Sequence, residues 1–237
     1  MKFISGCALI VYVMCLISCA TIIPTSKYQL SDGYYKSKLF NNKQNPVYIY
    51  NKEDTINIYL INRFTKSFDT LINVSKSFPN LVTAFSLPPA TFKQASFDID
   101  FLTIPFKYRP GQEDFPRQFN TNLNGAVYVG YRNDVHRLVY KKTPFNNLQR
   151  NTQHYGFSFG LFTGVGGTTM NPSVTNNQIV NEYDGVVWSK GIAGIIGINN
   201  FTIGLAVGYD DLLDNNKKKW FYQGKPWFGL AFGLNLN

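Results

Sequence analysis

Apolar and polar residues alternate along much of the chain after residue 96. From Phe201 to Tyr209, Phe201, Ile203, Leu205, Val207 and Tyr209 share one face, while Thr202, Gly204, Ala206, Gly208 and Asp210 share the other. A period of two is the mark of a β-strand with one face against an apolar medium. Val186 to Ile198 and Pro226 to Leu236 read as strands too. The dipeptide Asn199-Asn200 between the first two is a hairpin signal, because asparagine tolerates positive φ. Tyr155, Phe157, Phe159, Leu161 and Val165 oppose glycines and Ser158, and Leu123, Val127, Val129 and Tyr131 oppose a face ending in Arg132. Phe97, Ile99 and Phe101 alternate with Asp98 and Asp100, after which Leu102, Ile104, Phe106 and Tyr108 take the apolar phase. A phase change at Phe101-Leu102 predicts a β-bulge, with Pro105 where no ladder donor is needed.

The N-terminal third is less regular. Val47 to Tyr50 and Thr55 to Ile61 are predicted strands joined by Asn51 to Asp54, and they supply a further hairpin. Phe64, Phe68, Leu71, Ile72, Ser75 and Phe78 recur at helical spacing, which predicts a helix stopped by Pro79. Leu87-Pro88-Pro89 marks a boundary, and no repeat or low-complexity tract is present.

At the start of the chain, Lys2 precedes an apolar run from Cys7 to Ile17. That run is shorter than the roughly 20 residues a spanning helix needs and reads as a secretory signal. Leu16-Ile17-Ser18-Cys19 resembles the lipobox of bacterial lipoproteins, which implies that Cys19 is lipidated and becomes the first mature residue. The expected division is therefore a signal peptide at 1–18, a lipidated tether at 19–27, an N-terminal α/β segment (or partly barrel strands) at 28–90 and a β-barrel at 91–237.

Composition narrows the picture. The three cysteines are Cys7, Cys15 and Cys19, so a chain beginning at Cys19 keeps one thiol and has neither a disulfide framework nor a cysteine-ligated metal site. The net charge is +9, and loss of Lys2 takes it to +8. Export argues against nucleic acid as the partner of this charge; anionic outer-membrane lipid and lipopolysaccharide fit better. Lys217, Lys218 and Lys219 form the one cluster of cations, in an expected external loop with Asp210, Asp211 and Asp214.

Alternation alone does not separate a membrane barrel from a soluble one. A soluble barrel presents charge on its outer polar face, yet the polar faces of the strands at 155–165, 186–198 and 201–209 are mostly Gly, Ala, Ser and Thr. Such residues suit a narrow interior that admits long side chains from other strands. Asp98, Asp100, Lys107, Arg109 and Arg132 are the expected interior charge network, read as paired charges that hold the lumen closed. Tyr108, Tyr131, Tyr155, Trp188, Tyr209 and Trp227 suit interfacial girdles. The expected fold is all-β, an antiparallel up-and-down transmembrane β-barrel of about eight strands. A periplasmic Asn199-Asn200 turn puts 210–224 outside and both chain ends in the periplasm.

The lipobox, the alternating strands and the end Leu230-Ala-Phe-Gly-Leu-Asn-Leu-Asn237 resemble a Gram-negative outer-membrane β-barrel protein, similar in architecture to small OmpA/OmpX-type barrels. The resemblance implies an outer-membrane lipoprotein served by the barrel-assembly and lipoprotein-transport machinery, with a non-enzymatic role in envelope structure or surface interaction and oligomers as an option. The alternatives are a narrow pore, a lipid-modifying enzyme, and a soluble ligand-binding barrel on a lipid tether. For the enzyme, His154 and Ser158 share a strand face, but four residues separate them by about 13 Å, beyond the reach of a nucleophile and its base. No catalytic residues, cofactor or metal are therefore assigned; the Asp210 to Asn216 oxygens lack an EF-hand pattern.

Overall fold

The computed structural model describes residues 30–41, 43–61, 75–82, 88–111, 115–198 and 201–233. The expected signal peptide, Cys19, the expected tether up to residue 27, the expected Asn199-Asn200 turn and the last four residues lie outside them. The protein is all-β: twelve strands form one antiparallel sheet, and among the described residues the sole helical pieces are two short 3-10 turns. The strands are β1 (Gly33–Ser37), β2 (Asn45–Lys52), β3 (Thr55–Leu60), β4 (Ser75–Pro79), β5 (Leu81–Val82), β6 (Ala90–Arg109), β7 (Gln118–Asn120), β8 (Asn124–Lys142), β9 (Leu148–Met170), β10 (Tyr183–Ile198), β11 (Phe201–Leu212) and β12 (Pro226–Gly233).

The sheet is not one clean barrel. Neighbours run β6-β8-β9-β10-β11-β12, and β12 returns to pair with β6, so that among the described residues these six strands close a ring. The expected single ring of about eight strands is thus not what the pairing closes. The hairpin at 47–61 does not enter this ring; it pairs into β1-β2-β3-β4, which leaves the edge of β6 at Lys93 and Phe92. The reason lies in its side chains. Val47, Ile49, Ile56 and Ile58 turn inward and build a core with Tyr35, Phe78, Phe92 and Leu138, so the apolar face of this part of the sheet is the buried one.

β6, β8 and β9 have 20, 19 and 23 residues, about twice the 9 to 11 that one tilted membrane crossing uses. Each runs through the ring and then forms a wall of the second half. There the chain turning from β4 into β5 reaches β9: Leu81 and Val82 pair with Gln149 and Leu148, the Arg150 N–H donates to the Asn80 carbonyl at 2.8 Å, and the Tyr140 hydroxyl donates to the Pro79 carbonyl at 2.6 Å. The second half is in this way wrapped around its own apolar core. Much of the predicted helix at 64–78 falls outside the described residues, but its end, Ser75 to Pro79, is strand β4 paired with β3; the ladder takes Phe78 into the core as one of alternating strand positions.

The bulge is displaced from its expected place. Even-numbered residues of β6 face inward through Ile104, and the phase changes only before Lys107 and Arg109, which face inward at odd positions. Four residues of β6, Thr103 to Phe106, lie opposite three of β12, Phe232 to Leu230, which places the bulge around Pro105. Pro105 also falls between the end of the β8 ladder at Thr103 and the start of the β7 ladder at Lys107, where its missing N–H costs no hydrogen bond. Phe101 and Leu102 mimic a phase change because the ring interior is itself apolar at this level, with Leu102 and Ile104 packed among Ala126, Phe162 and Ala193.

Candidate functional site

The interior of the ring is built in layers. At one end Phe115 and Pro116, just before β7, meet the connections β9–β10 and β11–β12 in a cap. Met170, Val174, Val187, Leu212, Trp220 and Tyr222 form its core. Phe221 stacks on Phe115 at 3.5 Å, and its N–H donates to the Val174 carbonyl at 2.9 Å. The Tyr222 hydroxyl donates to the Pro116 carbonyl.

Beneath the cap lies a charge cluster centred on Asp210. Its carboxylate accepts from Lys107 Nζ at 2.9 Å, from Ser189 Oγ at 2.6 Å and from Trp227 Nε1 at 2.8 Å, and it pairs with Arg109 Nη2. Asp210, Lys107 and Arg109 are each 0% exposed. Arg109 also donates to Gln118 Oε1 at 2.8 Å, and its guanidinium lies 5.1 Å from the centre of the Trp220 ring. Lys107 Nζ sits 4.4 Å over Trp227. One carboxylate thus holds two cations, and aromatic faces share the remaining positive charge.

An apolar layer of Leu102, Ile104, Tyr128, Phe162 and small residues separates this cluster from a second one. Arg132 Nε donates to Asp134 Oδ1 at 2.8 Å and lies 3.9 Å from Asp98. His154 Nε2 donates to the same Asp134 oxygen at 2.6 Å, and the His136 ring lies 4.7 Å from that of His154. Asp100 is buried on the same inward face of β6. Tyr35 meets His136 edge-on at 6.0 Å and leads into the core of the second half. His136 sits below the ring, on the part of β8 beyond Arg132, where burial, and then the neighbouring His154, pushes its imidazole down to about 4.

Small residues make room for these chains. A Cβ on Gly156 would lie 2.8 Å from Arg132 Nη2, and one on Gly208 would lie 2.6 Å from the Trp227 ring. Both glycines are needed for close approach rather than for an unusual backbone angle.

The five expected network residues are all buried, but the structure divides them into two clusters. Lys107 and Arg109 belong to the upper one, while Arg132 and Asp98 belong to the lower, with Asp100 inward near Gly233. The carboxylate that joins the upper cations is Asp210, expected in an external loop; it is instead an inward residue of β11. Its alternation with Tyr209 was the signal that places it there. Asp211 also lies on β11 and pairs with Lys190 at 2.7 Å. Asp214 caps a 3-10 turn, accepting from the Asn216 N–H and the Tyr183 hydroxyl, and Lys217, Lys218 and Lys219 are exposed on the cap. Trp227, expected in a girdle, is buried as a donor to Asp210, whereas Tyr108, Tyr131, Tyr155, Trp188 and Tyr209 face outward.

His154 and Ser158 have separate partners: His154 bonds to Asp134, while Ser158 Oγ is 2.7 Å from the Tyr128 hydroxyl. They do not assemble a nucleophile and base. Among the described residues no group of three or more His, Cys, Asp or Glu side chains is arranged to hold a metal ion.

Outside, the ring is apolar. Phe97, Ile99 and Phe101 on β6, Val127, Val129 and Tyr131 on β8, Phe157, Phe159 and Leu161 on β9, Ile192 and Ile196 on β10, Leu205 on β11 and Phe228 and Leu230 on β12 are all exposed. Every strand of the ring contributes. Exposed apolar side chains thus encircle the ring, whereas soluble monomers rarely expose contiguous apolar patches larger than a few hundred Å².

These features define the chain as an all-β protein of one antiparallel sheet, with a closed strand ring whose inside is charged and whose outside is apolar. Compared with known protein families, curated proteins and solved structures, it matches none.

Proposed function

We propose that the protein is a non-enzymatic outer-membrane lipoprotein whose six-strand ring crosses the bilayer, while β1 to β5 and the overhanging parts of β6, β8 and β9 form a periplasmic half. Its role is in envelope structure or surface interaction. The observation that carries this reading is the reversed polarity of the ring, apolar outward on all six strands and charged within. The parity fits it: an even number of strands returns both ends of the ring to one side, opposite the cap, although six strands are fewer than the eight with which single-chain outer-membrane barrels begin. The filled interior favours a closed structural element over a pore, and the separate partners of His154 and Ser158 favour it over a hydrolase.

Cell fractionation with a heat-modifiability gel tests the reading. The expected result is recovery in the outer-membrane fraction and a folded band that shifts on boiling in detergent. Recovery of a stable, monodisperse wild-type chain in detergent-free buffer would overturn it. In planar bilayers the folded protein is expected to give no conductance steps.

A further inference from the structure

Lys93 stands on the outward face of β6, and the residue directly opposite it on β1 is Lys36. Like charges directly opposed across two strands destabilise a sheet, and the β1–β6 ladder consists of this pair and Ser37 with Phe92. Lys38 brings a third ammonium group. The three lysines line a cavity of about 380 Å³ that no carboxylate enters, and among the described residues none of them is ion-paired. On the other side of β6, Arg137 of β8 opposes Thr91 and so lies diagonal to Lys93.

Depth along the strand identifies what such a cluster meets. Lys93 precedes Phe97, the first residue of the apolar belt on β6, by four residues, or about 13 Å of strand. At the tilt usual for membrane strands this is about 9 Å below the belt, which a lysine side chain closes to the depth of the lipid head groups.

We infer that Lys36, Lys38 and Lys93 bind the phosphate of an anionic phospholipid head group in the leaflet facing the periplasmic half. The inference rests on the membrane-spanning reading of the ring. The bound anion cancels the repulsion between Lys36 and Lys93 and holds the short β1–β6 ladder at a fixed depth.

The test uses the full chain, folded in neutral detergent and reconstituted into vesicles of mixed phosphatidylcholine and phosphatidylglycerol. Flotation reports insertion, and mass spectrometry of lipid retained on re-extraction reports preference. Phosphatidylglycerol is expected to be enriched on the order of tenfold over its bulk share. The enrichment is lost in K36Q/K93Q and kept in K36R/K93R, and K36Q/K93Q melts no lower than wild type without anionic lipid. No enrichment in inserted wild-type protein, or enrichment unchanged in K36Q/K93Q, overturns the inference and leaves the ring reading intact. Saturable binding of inorganic phosphate that K36Q/K93Q abolishes, without phosphatidylglycerol enrichment, overturns it in favour of a soluble anion. Failure to float in any vesicle overturns the ring reading itself.

Discussion

Along β6 the outward series Thr91, Lys93 and Ala95 gives way to Phe97, Ile99 and Phe101, while the inward series Ala90 and Phe92 gives way to Asp98 and Asp100. β9 changes in the same sense, from outward Gln149, Asn151 and Gln153 to Tyr155, Phe157 and Phe159, and Tyr155 aligns through Val135 of β8 with Lys93, four residues before Phe97. The two halves of the molecule share three strands and the two hydrogen-bond ladders that join them, yet they are turned inside out with respect to each other. Backbone pairing is indifferent to this exchange; only the side chains respond to the medium on each face. In the second half apolar burial does the stabilising. In the ring, where apolar residues stay outside, cohesion comes from strand closure, buried ion pairs and the apolar middle layer. The Arg132–Asp134–His154 cluster sits where one regime passes into the other.

The largest test of this contrast is Asp210→Ala. It leaves Lys107 and Arg109 buried without their carboxylate, and breaking a buried pair in this way costs about 3–5 kcal/mol. The detergent-folded variant is expected to lose its heat-modifiable band at a much lower temperature or urea concentration than wild type. Melting with the wild type would mean that water reaches the cluster. Next comes Leu161→Arg. Leu161 is 66% exposed and lies midway along the ring between Val129 and Ile192. An arginine at such a depth in a bilayer costs about 2–4 kcal/mol. Folding yield into vesicles, compared with wild type, measures it.

What the sequence discloses follows the same division. Strands of the ring are legible because their outward face is uniformly apolar and their inward face small or charged; Gly156 and Gly208 even betray the long side chains they make room for. Legibility fails where the inside is apolar as well. Leu102 and Ile104 belong to the middle layer, so the bulge reads four residues too early. It fails again at a strand end, where Asp210 followed by Asp211 and Asp214 looks like a solvated loop, although its position in phase with Ala206 and Gly208 turns it inward. Alternation within one strand says nothing about partners. Hence the division of the charges into two clusters, the number of strands in the ring and the extension of β8 and β9 into the second half all depend on register, which the sequence does not print.

The junction between the halves gives the third test. His136 faces His154, Asp134, Arg132 and Tyr35, and it is held neutral with its pKa lowered to about 4. An unfolded histidine titrates near 6.5. The unfolded chain therefore binds the extra proton first, and stability present above pH 6.5 is lost as pH falls from about 6.5 toward 4, by on the order of 3 kcal/mol. Urea unfolding in a neutral detergent across this range measures the loss. His136→Leu is expected to flatten that slope; an unchanged slope would assign the titration to another group.

Tyr50→Arg is the smallest expected effect and completes the comparison with Leu161→Arg. Tyr50 is an outward residue of β2, opposite Asn57 and well away from the apolar belt. Its surroundings are already charged and exposed, with Lys52 two residues along the same face and Glu53 and Asp54 in the turn beyond it. A further outward cation there changes stability by no more than about 0.5 kcal/mol, read as an unchanged melting temperature and vesicle-folding yield. The same side chain is thus introduced on the same side of the same sheet in both variants. If Tyr50→Arg costs as much as Leu161→Arg, the sheet is intolerant of outward charge everywhere, and the polarity reversal is a matter of packing. If Leu161→Arg alone fails, and fails only with lipid present, the reversal reports the two media in which the halves stand.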